Sequence, residues 1–179
     1  MVATRKHTHP PTHLLRMIRT ANLSDLDALV QLETRNFDSD HLSRRSFHYL
    51  LTRGNAILLV DEESKQLRGY ALLRFHARSP RARLYSLAID HEHRSRGIGR
   101  ALLAAAEDAA RGRGAASLRL ELRKDNHAAA RLYEKMGYRG FGTYLDYYAD
   151  HMDALRMEKP LTKRPRATDR AAQVVRRSL

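Results

Sequence analysis

Apolar residues recur along this chain with two different spacings. Residues 117–123, SLRLELR, have the clearest period of two, which places three leucines on one face and Arg, Glu and Arg on the other, as in a β-strand with one buried face. Residues 98–112 and 126–137 instead have apolar side chains three and four positions apart, which is typical of amphipathic helices. Strand-like and helix-like segments alternate over most of the chain, so the pattern predicts a mixed α/β sheet.

The same two spacings, with turn residues between them, delimit the remaining elements. The predicted strands are 16–21, 55–62, 67–77, 83–90, 117–123, 138–145 and 153–161, and the predicted helices are 24–37, 43–54, 98–112 and 126–137. Ser24 and Asp27 form an S-x-x-D pattern that predicts the start of the first helix. We expect Asn126 to cap the last helix and Gly137 to end it. The polar sequence ESKQ between the second and third strands predicts a hairpin.

Length and composition limit the kind of protein. A chain of 179 residues, 42% hydrophobic and 30% charged, is expected to form one domain with a substantial core. No apolar run approaches the ~18 residues of a membrane span, and the N-terminal stretch lacks the apolar core of a signal peptide. Without cysteine, the chain has no disulfide, thiol nucleophile or thiolate metal site. We therefore expect a cytoplasmic protein with no membrane partner.

The net charge of +13 is concentrated near the two ends of the chain. Residues 1–14 contain two basic residues and no acid, and residues 159–179 contain seven basic residues and one acid, which leaves 24 basic and 19 acidic residues in 15–158. Segments with such charge and little apolar content are expected to be disordered. The sequence therefore predicts a folded domain over 15–158 between two basic tails. The tails are candidates for contact with ribosome or RNA; surplus charge that only aids solubility is the alternative.

The sequence HRSRGIGRAL, residues 91–100, carries candidate chemistry between a predicted strand and a predicted helix. Gly97 and Gly99 allow positive φ and a close approach of a ligand to the backbone, and the N-terminus of the following helix favours an anion. The pattern is not a dinucleotide fingerprint, because position 102 is leucine, and no GK[ST] of a P-loop follows. One interpretation is that this segment binds a phosphate-bearing cofactor. The other is that it is only a turn between a strand and a helix.

Three motifs taken together resemble one family. The R-x-x-G-x-G of Arg94, Gly97 and Gly99 is followed by LELRKDN and then by ARLYEKMGY. This order and spacing resembles the GNAT superfamily of N-acetyltransferases over residues 15–158. The resemblance implies a mixed, mostly antiparallel sheet with helices on both faces and a splay at the central strands. It also implies acetyl-CoA as the co-substrate.

The resemblance further implies a site for acetyl-CoA. In the family, the backbone of the strand before the glycine turn pairs with the pantetheine arm, and the turn binds the pyrophosphate. The residues implied here are Leu87, Ala88 and Ile89 for the pantetheine, the N–H groups of Gly97, Ile98, Gly99, Arg100 and Ala101 for the phosphates, Arg94 and Arg96 for added charge, and Asn126. Because the strand would contribute only its backbone, its side chains are free to be apolar.

Acetyl transfer from a thioester needs a neutral amine, a polarised carbonyl and a proton for the departing thiolate. The resemblance implies that Tyr133 is the general acid, since a phenol with a pKa of about 10 can protonate a thiolate of comparable basicity. The alternative is a core tyrosine, because Tyr133 lies in the apolar stripe of its helix. Glu121, twelve residues earlier, is the implied base, acting through a water. It lies on the polar face of its strand between two arginines, so a cross-strand ion pair is its alternative role.

Within the superfamily, the chain is most similar to the bacterial enzymes of the RimI type, which acetylate the N-terminal alanine of a ribosomal protein. The matches are residues 120–123, Asn126, Tyr133, Tyr147 with Tyr148, and residues 153–157. The resemblance implies that Tyr147 and Tyr148 grip the first residues of an acceptor peptide; packing over the end of the sheet is the alternative. The first-helix region reads ETRNFDSDHLSRRSF where those enzymes usually have F-P-W, which leaves the identity of the acceptor open.

The ten histidines include His7-x-His9 and His91-x-His93, which lack the further ligands and spacing of a metal site, so no metal is expected. The expected function is transfer of acetyl from acetyl-CoA to the N-terminal α-amine of a protein, with a ribosomal protein as the candidate acceptor. One alternative changes the acceptor to a small amine or a lysine side chain. The other is a basic ribosome- or nucleic-acid-binding protein on the same scaffold, which would need neither Glu121 nor Tyr133.

Overall fold

The computed structural model describes residues 17–37 and 41–161. Within these residues, seven strands and four α-helices follow one another in the order that the hydrophobic pattern predicts. The strands are β1 Met17–Thr20, β2 Ala56–Glu63, β3 Gln66–Phe75, β4 Arg81–Ile89, β5 Ser117–Arg123, β6 Arg139–Tyr144 and β7 Ala154–Pro160. The helices are α1 Leu26–Asn36, α2 Arg44–Thr52, α3 Ile98–Gly112 and α4 His127–Lys135.

The strands form one sheet in the order β1-β2-β3-β4-β5-β7-β6. Neighbouring strands are antiparallel except for β4 and β5, which run parallel. Parallel neighbours need a crossover connection, and here α3 provides it. The predicted mixed, mostly antiparallel sheet is therefore confirmed, with its one parallel pair at the centre.

The central pair separates along its length, as the expected splay requires. β4 and β5 pair only where Arg81–Leu84 lies beside Ser117–Leu120. β4 also has a bulge at Tyr85, because Leu84 and Ser86 on either side of it face consecutive residues of β3. A bulge bends the strand that carries it and increases its twist. Within the described ranges, the second half of β4 therefore pairs with β3 alone, which leaves its other edge open.

Helices cover both faces of the sheet, as predicted. On one face, α3 buries Leu102, Leu103 and Ala106 in the same core as the three leucines of β5. On the other face, α1 and α2 bury Leu29 and Phe47 against β2 and β3. Complete burial of one such leucine or phenylalanine stabilises the fold by about 1.5–3 kcal/mol. These two cores hold the sheet together while its central strands diverge.

The first helical segment begins differently from the prediction. Asn22, not Ser24, is the N-cap of the 3₁₀ turn that leads into α1: its side chain accepts from the Ser24 N–H, and the Asp25 carboxylate accepts from the Asn22 N–H, both at 2.8 Å. This reciprocal arrangement is a capping box, which satisfies two free N–H groups at once. Arg19 of β1 also donates to Asp25. The S-x-x-D prediction is therefore wrong by two residues.

The fold continues past the predicted C-terminal boundary at residue 158. Lys159 donates through Nζ to the Glu107 carboxylate at 2.7 Å, and Leu161 is 5% exposed, with its N–H bonded to the Ala116 carbonyl. The first residues of the predicted tail thus belong to the domain. The predicted N-terminal tail, residues 1–14, and the rest of the predicted C-terminal tail, residues 162–179, lie outside the described residues. In the part of the chain that the structure describes, no helix is long and apolar enough to cross a membrane.

Candidate active site

The glycine turn after β4 adopts a backbone suited to an anion. Ser95 has φ 62° and Gly97 has φ 76°, so two left-handed residues alternate with others immediately before α3. Turns of this kind direct successive N–H groups into one concavity. Gly97 is the N-cap of α3, and its conformation explains the glycine at this position. The sequence motif did not predict Ser95, which is a rare left-handed residue other than glycine, asparagine or aspartate.

Free N–H groups follow at the start of α3. Among the described residues, none accepts a hydrogen bond from the N–H of Ile98, Gly99 or Arg100, as expected for the first turn of a helix. The N–H of Ala101, in contrast, already donates to the Gly97 carbonyl at 3.1 Å. Of the N–H groups predicted to bind phosphate, these three are therefore better available donors than that of Ala101.

The arginines of this turn have different surroundings. Arg94 donates to the Asn36 side chain at 2.8 Å and to the Ile89 carbonyl at 3.3 Å, so it ties the turn to the end of α1. Arg96 and Arg100 are exposed, and no described carboxylate lies within ion-pair distance of either. Arg94 therefore helps to shape the turn, whereas Arg96 and Arg100 leave positive charge free beside it.

The open edge of β4 leads into this turn. Leu87, Ala88 and Ile89 pair with β3 on one side and have no strand partner among the described residues on the other. Across the splay, Asn126 caps α4 as predicted, because its side chain accepts from the Ala129 N–H at 3.1 Å. The structure thus places the predicted pantetheine strand and phosphate turn in one continuous segment.

Glu121 on β5 forms the cross-strand ion pair that was its alternative role. Arg83 of β4 donates through Nε to Glu121 Oε2 at 2.7 Å and through Nη2 to the Tyr147 hydroxyl at 3.1 Å. The Glu121 side chain is 10% exposed. Sequence reasoning missed Arg83, because no local signal in the sequence places it beside Glu121. The ion pair fixes Glu121 at the splay and does not exclude proton transfer through its other oxygen.

Tyr133 on α4 is both a core residue and a neighbour of the splay. Its side chain is 7% exposed, and its ring packs edge-on against Tyr138 with centroids 5.6 Å apart. Burial raises the pKa of the Tyr133 hydroxyl above its ordinary value, and the nearby Tyr148 raises it further. Among the described residues, none accepts a hydrogen bond from this hydroxyl. Tyr133 is therefore a protonated phenol throughout the neutral range.

The loop between β6 and β7 brings its tyrosines over the same place. Tyr147 is 44% exposed, stacks on Tyr144 with centroids 5.5 Å apart and meets Tyr148 edge-on at 5.1 Å. Burial raises the pKa of Tyr148 to about 12, followed by the effect of Tyr147, and the charge of Glu121 contributes to the rise. Glu121, Tyr133, Tyr147 and Tyr148 are thus brought together.

Two histidines just before the glycine turn lie beside polar groups of the fold. The His91 ring lies 2.9 Å from the Arg35 carbonyl, and His93 lies 3.7 Å from Asp90. Over the described ranges 17–37 and 41–161, no group of three His, Cys, Asp or Glu side chains could hold a metal ion. His7 and His9 lie outside these ranges.

The open strand edge and the helix N-terminus thus lie in one segment beside Glu121 and the Tyr133 phenol. The chain belongs to the acetyltransferase (GNAT) family, whose model matches residues 23–138. The protein is therefore an acetyltransferase. Enzymes of this family use acetyl-CoA.

Similar proteins with a named activity narrow the class of acetyltransferase that the chain resembles. The chain is 32% identical over 141 residues to a Bacillus subtilis protein named a putative ribosomal protein bS18-alanine N-acetyltransferase, covering 78% of this chain and 92% of that protein. It is 37% identical over 84 residues to the Escherichia coli ribosomal protein bS18-alanine N-acetyltransferase, 45% of this chain and 57% of that one. The crystal structure of the ribosomal-protein-S18-alanine N-acetyltransferase from E. coli matches with a TM-score of 0.75 and 26% identity over 86% of this chain and 98% of that chain. The predicted similarity to the RimI type is confirmed.

Proposed function

We propose that this acetyltransferase moves an acetyl group from acetyl-CoA to the α-amine at the N-terminus of a protein, with a ribosomal protein as the candidate acceptor. The observation that carries the proposal is the convergence at the splay of the open β4 edge and the side chains of Glu121, Tyr133 and Tyr147. The named activities of the relatives support the α-amine as acceptor.

Acetyl-CoA fits the segment from Leu87 to Arg100. The open edge of β4 offers backbone groups to the amides of the pantetheine arm, as an added strand would. The N–H groups of Ile98, Gly99 and Arg100, at the positive end of α3, suit the pyrophosphate. Arg96 supplies charge that no described carboxylate neutralises. When bound, acetyl-CoA supplies the thioester that is the acetyl donor.

Glu121 is the proposed base. Arg83 holds one of its oxygens, which leaves the other to accept a proton from the acceptor amine through a water. An α-amine makes little demand on such a base, because roughly a tenth to a fifth of it is deprotonated at pH 7, against less than a thousandth of a lysine side chain. Glu121 therefore removes only a residual proton from the attacking nitrogen.

Tyr133 is the proposed acid. Its raised pKa keeps the hydroxyl protonated until the thiolate develops beside it. The same dry surroundings that disfavour a phenolate also disfavour a thiolate, so the proton transfer stays close to balanced. Tyr147 and Tyr148, from the loop after β6, hold the first residues of the acceptor over this pair.

A panel of acceptors tests the proposal. We expect turnover with short peptides that have a free α-amine and a small first residue, and loss of turnover when that amine is blocked. Release of the CoA thiol is a clean readout, because the protein has no cysteine of its own. Glu121→Gln is the control for enzyme-dependent acetylation. If blocked peptides or a small amine were acetylated as fast as the free peptides, a lysine side chain or a small amine would instead be favoured as the acceptor.

A further inference from the structure

A basic groove lies between α2 and the strands β3 and β4, next to the proposed acetyl-transfer site. It has a volume of about 350 Å³ and is lined by Leu42, Arg45, Ser46, Tyr49, Leu50, Arg74 and Tyr85. Two of its lining residues are arginines and none is an acid. Among the described residues, no carboxylate lies within ion-pair distance of Arg45 or Arg74. The groove therefore presents two cations and two exposed tyrosine rings to whatever enters it.

The ring of Tyr85 connects this groove to Glu121. The Arg74 guanidinium lies 5.3 Å from the centroid of that ring, and the Arg83 guanidinium lies 5.5 Å from it. Arg83 in turn holds Glu121 and Tyr147. Tyr85 is the residue of the β4 bulge, so the distortion that opens the splay also presents this ring to the groove. A chain that runs from Glu121 across Tyr85 enters the groove at Arg74.

We infer that the groove receives the residues that follow the acceptor's first residue, and that these residues include aspartate or glutamate. The inference rests on the proposed function, because it takes the amine to lie at Glu121. Arginines that no described carboxylate pairs with attract carboxylates and repel a basic peptide. Three contacts, of 2.7, 5.5 and 5.3 Å, link Glu121 to Arg74 through Arg83 and Tyr85. An extended chain advances about 3.3–3.6 Å per residue, so the acid lies at about the second to fourth position. The substrate class is thus an N-terminus with acidic residues close behind it.

Three peptides of equal length test the inference. All begin with a free alanine, and positions two to four are acidic, neutral or basic. We expect kcat/KM to be highest for the acidic peptide and lowest for the basic one, with about three- to tenfold between neighbouring classes. The difference should shrink in high salt, because exposed charges are screened. Equal rates, or a preference for the basic peptide, would overturn the inference while leaving α-amine transfer intact. Turnover of none of the three would instead remove the proposed function.

Charge reversal separates recognition from folding. Arg74→Glu should lower kcat/KM for the acidic peptide and raise it for the basic one, whereas Arg74→Lys should keep the original ranking. A merely structural role of Arg74 would lower all three rates together. Arg53→Ala, at an exposed arginine just beyond α2 and outside the groove, is the matched control and should change none of them. If Arg74→Glu ranks the three peptides as the unmodified protein does, the inference is overturned. It is also overturned if an oligonucleotide inhibits turnover while the protein shows no preference for the acidic peptide.

Discussion

At the scale of single residues, the site depends on side chains with two roles. Tyr133 fills the core against Tyr138 and is also the proposed acid, and Glu121 is an ion-pair partner as well as the proposed base. The sequence motif predicted both positions. It could not predict Arg83, because that residue meets Glu121 only through the parallel register of β4 and β5, and local periodicity does not fix the pairing of strands 38 residues apart.

Replacing the phenol tests the acid at this scale. Tyr133→Phe should lower kcat by about 10²–10⁴-fold with little change in acetyl-CoA affinity, because it removes a proton donor and keeps the ring that packs in the core. Steady-state kinetics and calorimetry measure the two quantities. Turnover within a factor of two of the unmodified protein would make Tyr133 a core residue only.

Asp25 gives a prediction for stability against pH. Its hydrogen bond from Arg19 lowers its pKa against the opposing effect of burial. A carboxylate with a lowered pKa stabilises the fold above its unfolded pKa of about 3.9, and this contribution is lost as pH falls through the folded value. Asp25→Asn should therefore cost about 1–3 kcal/mol of unfolding free energy at pH 7 and progressively less as pH falls below 3.9. Urea denaturation of both proteins at pH 7 and below pH 3.9 measures this difference in unfolding free energy. A cost that does not change with pH would contradict the ion pair.

At the scale of elements, the glycine turn joins a strand edge to a helix N-terminus. The order of strand, turn and helix was predictable, because each has a local signal: the apolar run of β4, the two glycines and the spacing of α3. The bulge at Tyr85 was not, because it arises from the register between β3 and β4 and not from any one strand. The cap of the first helix was missed for a different reason. The sequence offers two similar patterns, Asn22 with Asp25 and Ser24 with Asp27, and in the structure Arg19 of β1 holds Asp25 in the first of them.

A charged substitution tests the turn. Gly97→Glu should abolish acetyl-CoA binding, because a Cβ at this position meets no atom within 4 Å and its carboxylate is free to occupy the proposed pyrophosphate position. Gly97→Ala is the matched control: it carries the same left-handed strain, about 1–2 kcal/mol, without the charge. Calorimetry should show binding retained, though weakened, in the alanine variant. Undiminished affinity in a folded Gly97→Glu protein would remove the phosphate site from this turn.

At the scale of the whole molecule, two cores support a sheet whose centre is open. The fold class was predictable because alternating strand and helix patterns cover most of the chain. The C-terminal limit was placed too early, at residue 158, because the charges of KPLTKR resemble a tail, although the predicted last strand extends to residue 161. In the structure, Lys159 pairs with Glu107 and Leu161 is buried. Net charge alone cannot distinguish these two environments.

Two truncations test this limit. Ending the chain after Leu161 should leave activity on short peptides unchanged, because every described contact is retained. Ending it after Glu158 should lower the unfolding free energy by about 2–4 kcal/mol, since the burial of Leu161 and the ion pair of Lys159 are both lost. Thermal unfolding and peptide turnover of the two proteins measure this. Equal stability of both would restore the boundary at residue 158.

The position of the acetyl group on one peptide tests the central claim most directly. The peptide has a free N-terminal alanine, an acidic second residue and one internal lysine, and is incubated with acetyl-CoA and the full-length protein. Fragmentation mass spectrometry then locates the added acetyl group. The account predicts a single acetyl group on the α-amine, formed far more slowly by Glu121→Gln. Acetylation of the internal lysine at a comparable rate, in this peptide or in one with a blocked α-amine, would contradict it.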